Sequence, residues 1–307
     1  MRHTRRVLLA GAVTAAAALT GEPGRKEPRP EARAELERYL RLASRYGAGR
    51  WTASLGHARD ALPESLAARL ESQADEYGVS RADLSSYTLL EALSLPRDFL
   101  RYYLPRGLAF VSPRQPGQPG LLGAAFLPTM EPLAWRTGGG YAGLASGGRA
   151  GRHMGSNAGL SLVTLCGPDA TWLGPGVPPS LAAEHCLGTT RSLEAARQLL
   201  EGLPTPRPCL HLLYDNVTGE AMALPLGESA PVDSGLPVLV AGSLGTGGTE
   251  NVEALTRHLD ANVGWLTLEK SAAILEASLP DSIVVVLDPD NRRGLLSGTG
   301  GVRSLAL

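Results

Sequence analysis

Residues 104–112 read LPRGLAFVS. Pro105 interrupts what precedes it, and the apolar run from Leu108 to Val111 is closed by Ser112 and Pro113, the pattern of a short buried strand. The first positions of that strand carry nothing reactive. Upstream the periodicity is helical: residues 31–46 place Leu36, Tyr39, Leu40 and Ala43 on one face, and residues 63–77 place Leu66, Leu70, Ala74 and Tyr77 on one face before Gly78. Ser80 followed by Asp83 predicts a capped third helix running to about Leu93. Downstream, the runs GLSLVTL, LHLLYD, EAMALPL, LPVLVAG, SIVVVLD and GLLSG are each short, apolar and bounded by turn residues. Residues 215–219 (DNVTG) and 288–294 (DPDNRRG) read as turns between antiparallel neighbours. Helices are expected at about 180–188, 192–202, 249–261 and 267–277, the third turning Val252, Leu255 and Leu259 inward. Helices and strands without strict alternation predict an α+β sandwich in place of a doubly wound sheet.

Composition narrows the function. The chain has 307 residues, 43% of them hydrophobic, enough for a sizeable core. Its 37 glycines and 23 prolines imply many turns, and 29 basic against 30 acidic residues give no basic surface for nucleic acid and no charge bias toward a membrane. No nucleic-acid partner is expected. The N-terminus, MRHTRRVLLAGAVTAAAALTG, has a basic start and an apolar run too short to span a bilayer, the form of a signal peptide over residues 1–21. Thr4-Arg5-Arg6-Val7-Leu8-Leu9 resembles a twin-arginine motif, so the chain is expected to be exported to a periplasmic or extracellular location, with no transmembrane segment in its mature form. Residues 22–30 read as a linker, 31–106 as a helical lead-in and 107–307 as the main domain.

Familiar catalytic motifs are lacking. There is no H-E-x-x-H, S-x-x-K or Walker A sequence, and Lys26 and Lys270 are the two lysines. Cys166, Cys186 and Cys209 have no C-x-x-C spacing, permit at most one internal disulfide and do not form a zinc site; no metal or cofactor is expected. His57, His153 and His211 have no carboxylate at a telling spacing and read as surface or satisfied core histidines. The segment AGSLG at 241–245 is one residue from a nucleophile elbow, which makes Ser243 a candidate nucleophile. His258 is the one histidine after it, and the acids follow that histidine, against the order this mechanism uses.

The order of elements carries a resemblance. AGLSL at 158–162, RSLEAA at 191–196, and LLYD at 212–215 followed by GEA at 219–221 resemble the acyl-coenzyme A:6-aminopenicillanic acid acyltransferase-like family, among the cysteine N-terminal nucleophile hydrolases. Residues 61–93 look like the lead-in before the nucleophile in such precursors, and SIVVVLDP at 282–289 like the closing strand and turn. The resemblance implies a four-layer αββα fold. It also implies self-cleavage before a cysteine, whose freed α-amino group, with a pKa near 8, is the general base for the thiol. A family cysteine commonly follows a glycine at the strand start; here Gly107 is followed by Leu108. Against the polar partners stand Leu127 in the apolar LGAAFLP, Ser156 and Asn157 where an Asn-Glu pair is expected, and Leu210 where an asparagine is expected. Loss of a nucleophile alone can cost on the order of a millionfold in turnover. The resemblance therefore implies an exported non-catalytic homologue, a binding or scaffold protein for an apolar small molecule or a protein partner. The alternative is an amidohydrolase or acyltransferase acting on amide or thioester bonds through Ser112, Ser243 or Cys166.

Overall fold

A computed structural model of the chain describes residues 30–46, 52–147, 149–227, 232–233, 238–243, 249–298 and 301–307. The signal peptide, all but the last residue of the linker, and most of the glycine-rich segment 242–248 lie outside the described residues. Strand β1 (Gly107–Ser112) forms where expected, and every one of its residues is buried. It pairs antiparallel with β2 (Leu121–Phe126) on one side and β10 (Leu239–Gly242) on the other. The sheet continues outward through β9 (Val232–Asp233) beyond β10, and through β11 (Ile283–Asp288), β12 (Arg293–Gly298) and β13 (Gly301–Ala306) beyond β2. A second antiparallel sheet runs in the order β3 (Leu133–Gly138), β4 (Tyr141–Ser146), β5 (Met154–Asn157), β6 (Leu160–Leu165), β7 (Cys209–Asp215) and β8 (Ala221–Leu226). The turns at 215–219 and 288–294 join β7 to β8 and β11 to β12, as the sequence predicts.

Side-chain alternation fixes the layers. Along β1, Ala109 and Val111 enter a core that also holds Leu144, Met154, Val163, Leu210 and Leu212 of the second sheet. Leu108 and Phe110 point the other way, into a core with Val252, Leu255 and Leu275. Those three belong to helices α8 (Thr249–Asp260) and α9 (Leu268–Ser278), which cover the outer face of the first sheet. The outer face of the second sheet is covered by α6 (Pro179–Thr189) and α7 (Leu193–Gly202). The result is a four-layer αββα sandwich, the fold class expected from the sequence.

The helical lead-in joins the second of these outer layers. It comprises α1 (Pro30–Arg45), α2 (Thr52–Asp60), α3 (Glu64–Tyr77), α4 (Arg81–Thr88) and the short α5 (Arg97–Leu100). Leu36, Tyr39, Leu70 and Tyr87 share one apolar cluster with Leu160, Leu181 and Leu213 of the sandwich. Gly78 ends α3 in the left-handed conformation, φ 61°, and the Ser80 hydroxyl accepts the Asp83 N–H to start α4. The third helix is shorter than expected: α4 ends at Thr88 and a single 3-10 turn covers Leu90–Ala92. Residues 89–93 are all buried, and a surface helix has no face for five consecutive buried positions.

Buried charge fastens the lead-in to the sandwich. Glu91 takes the Ser180 N–H (3.2 Å) and hydroxyl (2.7 Å) at the start of α6. Arg149 donates to Glu131 (2.9 Å) and to the Tyr103 carbonyl (3.0 Å), and lies 3.6 Å from Glu91. Glu184 on α6 is fully buried, accepts from Arg69 of α3 (2.6 Å) and the Tyr141 hydroxyl (2.6 Å), and is ion-paired with Arg152 (3.2 Å). Arg207 donates to the carbonyls of Glu91, Leu93 and Ala170, closing the bend after α4 onto the second sheet.

Candidate functional site

The sandwich end where β1 begins gathers the residues of chemical interest. Gly107 sits opposite Phe126 of β2, and Phe126 packs against His153, ring centroids 6.0 Å apart. His153 Nε2 lies 2.7 Å from the Ser146 hydroxyl, with both residues buried. Burial, assisted by the positive charges of Arg149 and Arg152, pushes the His153 imidazole down to about 3, so it is neutral at ordinary pH. On the first sheet, the Ser243 N–H donates to the Gly107 carbonyl (2.9 Å), and the Gly107 N–H donates to the Ser243 hydroxyl oxygen (2.8 Å). One residue earlier, the Leu127 N–H donates to the Arg106 carbonyl (2.8 Å). The Arg106-Gly107 peptide is thus tied to both neighbouring strands.

The five positions singled out in the sequence do not converge. Leu108 faces the helical layer of the first sheet, because the pleat turns Gly107 and Ala109 toward the other sheet. Leu127 packs at the edge of that same helical core. Leu210 fills the layer between the sheets. Ser156 and Asn157 stand at the opposite end of the sandwich. Ser156 pairs with Ser161, and Ser161 with Tyr214. The Tyr214 hydroxyl donates to Asp290 (2.9 Å), which also accepts the Gly120 N–H beside the far end of β1.

Asn157 is a structural joint. Its amide donates to the carbonyls of Leu187 (2.7 Å) and Thr190 (2.9 Å) at the end of α6, and its oxygen accepts the Gly159 and Leu160 N–H groups (both 2.8 Å). Its full hydrogen-bonding capacity is used inside the fold. Asn157→Ala is expected to lower stability by about 2 kcal/mol, the cost of leaving several buried backbone groups unpaired, as measured by urea unfolding. A loss below about 0.5 kcal/mol would show that water replaces these bonds.

The three alternative nucleophiles are also dispersed. Ser112 is at the far end of β1 and shares the pleat parity of Leu108, away from the second sheet. Ser243 lies at the near end, its hydroxyl engaged with Gly107. Cys166 follows β6 and is partly exposed, but desolvation of its sulfur, with Cys209 beside it, holds the thiol well above the ordinary range. The Ser146 and His153 pair was not legible from the sequence, since it depends on the β4-β5 hairpin bringing both residues to the same strand ends. Among the described residues, no group of three or more His, Cys, Asp or Glu side chains is placed to hold a metal ion, and no helix is long and apolar enough to cross a membrane.

Layer order and strand connectivity place the chain in the class of four-layer αββα sandwiches. No family model matches the chain, and none of the curated proteins matches it. Solved structures with some likeness include a Caenorhabditis elegans ortholog of N-acylethanolamine-hydrolyzing acid amidase. The TM-score is 0.43 at 13% sequence identity, covering 60% of this chain and 93% of that chain.

Proposed function

We propose that the chain is an exported, non-catalytic homologue of acyltransferases and amidohydrolases of the N-terminal nucleophile class, acting as a binding or scaffold protein for an apolar small molecule or a protein partner. The observation that carries this reading is the Gly107-Leu108 junction at the start of β1. N-terminal nucleophile chemistry needs a free α-amino group beside a thiol or hydroxyl at the start of the central strand. Here that position is Leu108, whose side chain serves the outer core, and the carbonyl of the Gly107-Leu108 peptide accepts the Ser243 N–H. The inter-sheet layer beside it is packed with Ala109, Phe126, Met154, Leu165 and Leu210. Apolar packing of this kind stabilises a scaffold at positions a catalyst keeps polar and strained.

Intact mass of the purified protein under denaturing conditions tests this. A single polypeptide across residues 106–112 is expected. Two chains meeting at Gly107 and Leu108, or at Val111 and Ser112, would overturn it.

A second reading, an active amide or thioester hydrolase, is favoured by the 2.7 Å contact between Ser146 and His153. A neutral imidazole can accept a serine proton, although one with so low a pKa is a weak base. A serine-directed acyl probe separates the two readings. The scaffold reading expects no labelling of folded protein; labelling abolished by Ser146→Ala would establish the second.

A further inference from the structure

We infer that Cys166 and Cys209 are a cross-strand pair built to form a disulfide. The argument begins with register. Strands β6 and β7 pair Leu160 with Asp215 through to Leu165 with Leu210, and one further step in the same register sets Cys166 directly opposite Cys209. Directly opposed residues share a face of the sheet. The hydrogen-bond parity is fixed at the other end of the ladder. There the Asn216 N–H donates to the Gly159 carbonyl (3.0 Å), one step outside the Leu160 and Asp215 pair. Hydrogen-bonded pairs therefore fall at 159 with 216, 161 with 214, 163 with 212 and 165 with 210, and the pairs between them are not hydrogen-bonded.

Cys166 and Cys209 follow directly on the last ladder pair, Leu165 with Leu210, at a position with the parity of the latter. Non-hydrogen-bonded pairs bring Cα atoms to roughly 4.5 Å with side chains close together, within the separation a disulfide spans. The neighbouring pair on the same face confirms the approach: Thr164 Oγ1 and His211 Nδ1 are 2.8 Å apart. Cys209 is buried, with its sulfur 3.6 Å from His211 Nε2, whereas Cys166, just past the end of β6, is partly exposed. The third cysteine, Cys186, is on α6 with its sulfur 3.3 Å from the Thr190 hydroxyl, away from this ladder.

The chemistry is thiol-disulfide exchange with a low-molecular-weight disulfide as oxidant. The Cys166 thiol, the more exposed of the pair, gives up its proton to water, and the small thiolate fraction attacks one sulfur of oxidised glutathione, whose S–S bond breaks. One glutathione thiolate leaves and takes up the Cys166 proton. The Cys209 thiolate then attacks the Cys166 sulfur of the mixed disulfide, forming the Cys166-Cys209 bond and expelling the second glutathione, which takes up the Cys209 proton. Two protein thiols are oxidised, and one glutathione disulfide is reduced to two thiols. The bridge ties together the ends of the segment 167–208, which carries both α6 and α7. It thus fixes the helical layer over the second sheet, an oxidation-dependent reinforcement suited to an oxidising compartment.

The test uses the full chain equilibrated natively across a series of oxidised to reduced glutathione ratios, quenched in acid, denatured and alkylated without reduction. Oxidised protein is expected to lose the mass of two hydrogens, to accept the alkylating group at Cys186 alone, and to yield one linked peptide pair containing Cys166 and Cys209. Cys186→Ala is expected to close the same bridge, and Cys209→Ala to leave Cys166 and Cys186 both alkylated. Three alkylated cysteines at every ratio, or a link involving Cys186 in protein with native circular dichroism, would overturn the inference.

Discussion

Arg149→Met is expected to remove about 3–5 kcal/mol of stability, the usual cost of leaving buried charge uncompensated. With native stability generally about 5–15 kcal/mol, that is about a fifth of the total or more. The reason lies in what the guanidinium holds. Arg149, Glu131 and Glu91 are all buried, and Arg149 donates to the Glu131 carboxylate and the Tyr103 carbonyl while standing over the Tyr87 ring at 5.9 Å. Burial alone would lower the Arg149 pKa, but the Glu131 and Glu91 carboxylates outweigh it and raise the value, so the side chain is charged at every ordinary pH. Methionine fills much of the volume and strands two carboxylates. Because Glu91 also holds Ser180 at the start of α6, the damage extends across the junction between lead-in and sandwich. Urea unfolding of Arg149→Met, Glu131→Gln and the double variant gives the coupling directly. The double variant is expected to lose less than the sum of the two singles. A single-variant loss under about 1 kcal/mol would show that water reaches the network and screens it.

The same junction shows where the sequence is informative and where it is not. Helices α3, α4, α7 and α9 were legible because their ends are marked locally, by Gly78, Ser80, Ser192 and Thr267. Strands β1, β6, β7 and β11 were legible because they are continuous apolar runs between turn residues. Strand β3 was not, since it is a half-exposed edge carrying Trp135, Arg136 and Thr137. Helix α2 was missed because Gly56 interrupts its pattern. The candidate site depended on one residue of parity: the pleat sends Gly107 toward the second sheet and Leu108 away from it, and no sequence pattern marks that choice. Likewise Glu184 with Arg69, 115 residues apart, and Ser146 with His153 are products of tertiary packing, which local spacing does not encode.

Acid is expected to destabilise the protein well above the pH at which carboxylates protonate, through two buried histidines. His153 is pushed down to about 3, by burial first and then by Arg149 and Arg152, and burial alone pushes His211 down to about 4. Each has one ring nitrogen engaged by a hydroxyl, Ser146 for His153 and Thr164 for His211, and around His211 the other neighbouring group is the Cys209 thiol. In the unfolded chain both imidazoles titrate near 6.5. Between that value and the folded values the unfolded state binds about two more protons than the folded state, so stability rises with pH across this window and is lost as pH falls. From pH 7 to pH 5 the loss is on the order of 3 kcal/mol. Glu184 adds to it in a lower window. Burial raises its pKa, but Arg152, Arg69 and the Tyr141 hydroxyl more than offset this and leave it below 4.5. A group with a depressed folded pKa contributes stability above its unfolded value and loses it as pH drops through the folded one, so Glu184 acts only below about 4.3. Chemical unfolding across pH 4 to 7.5 separates the two effects. His211→Gln keeps a hydrogen-bonding side chain and is expected to remove roughly half of the slope between pH 5 and 6.5 while leaving the steepening below it. A slope unchanged in both His211→Gln and His153→Gln would mean that these imidazoles meet water in the folded state.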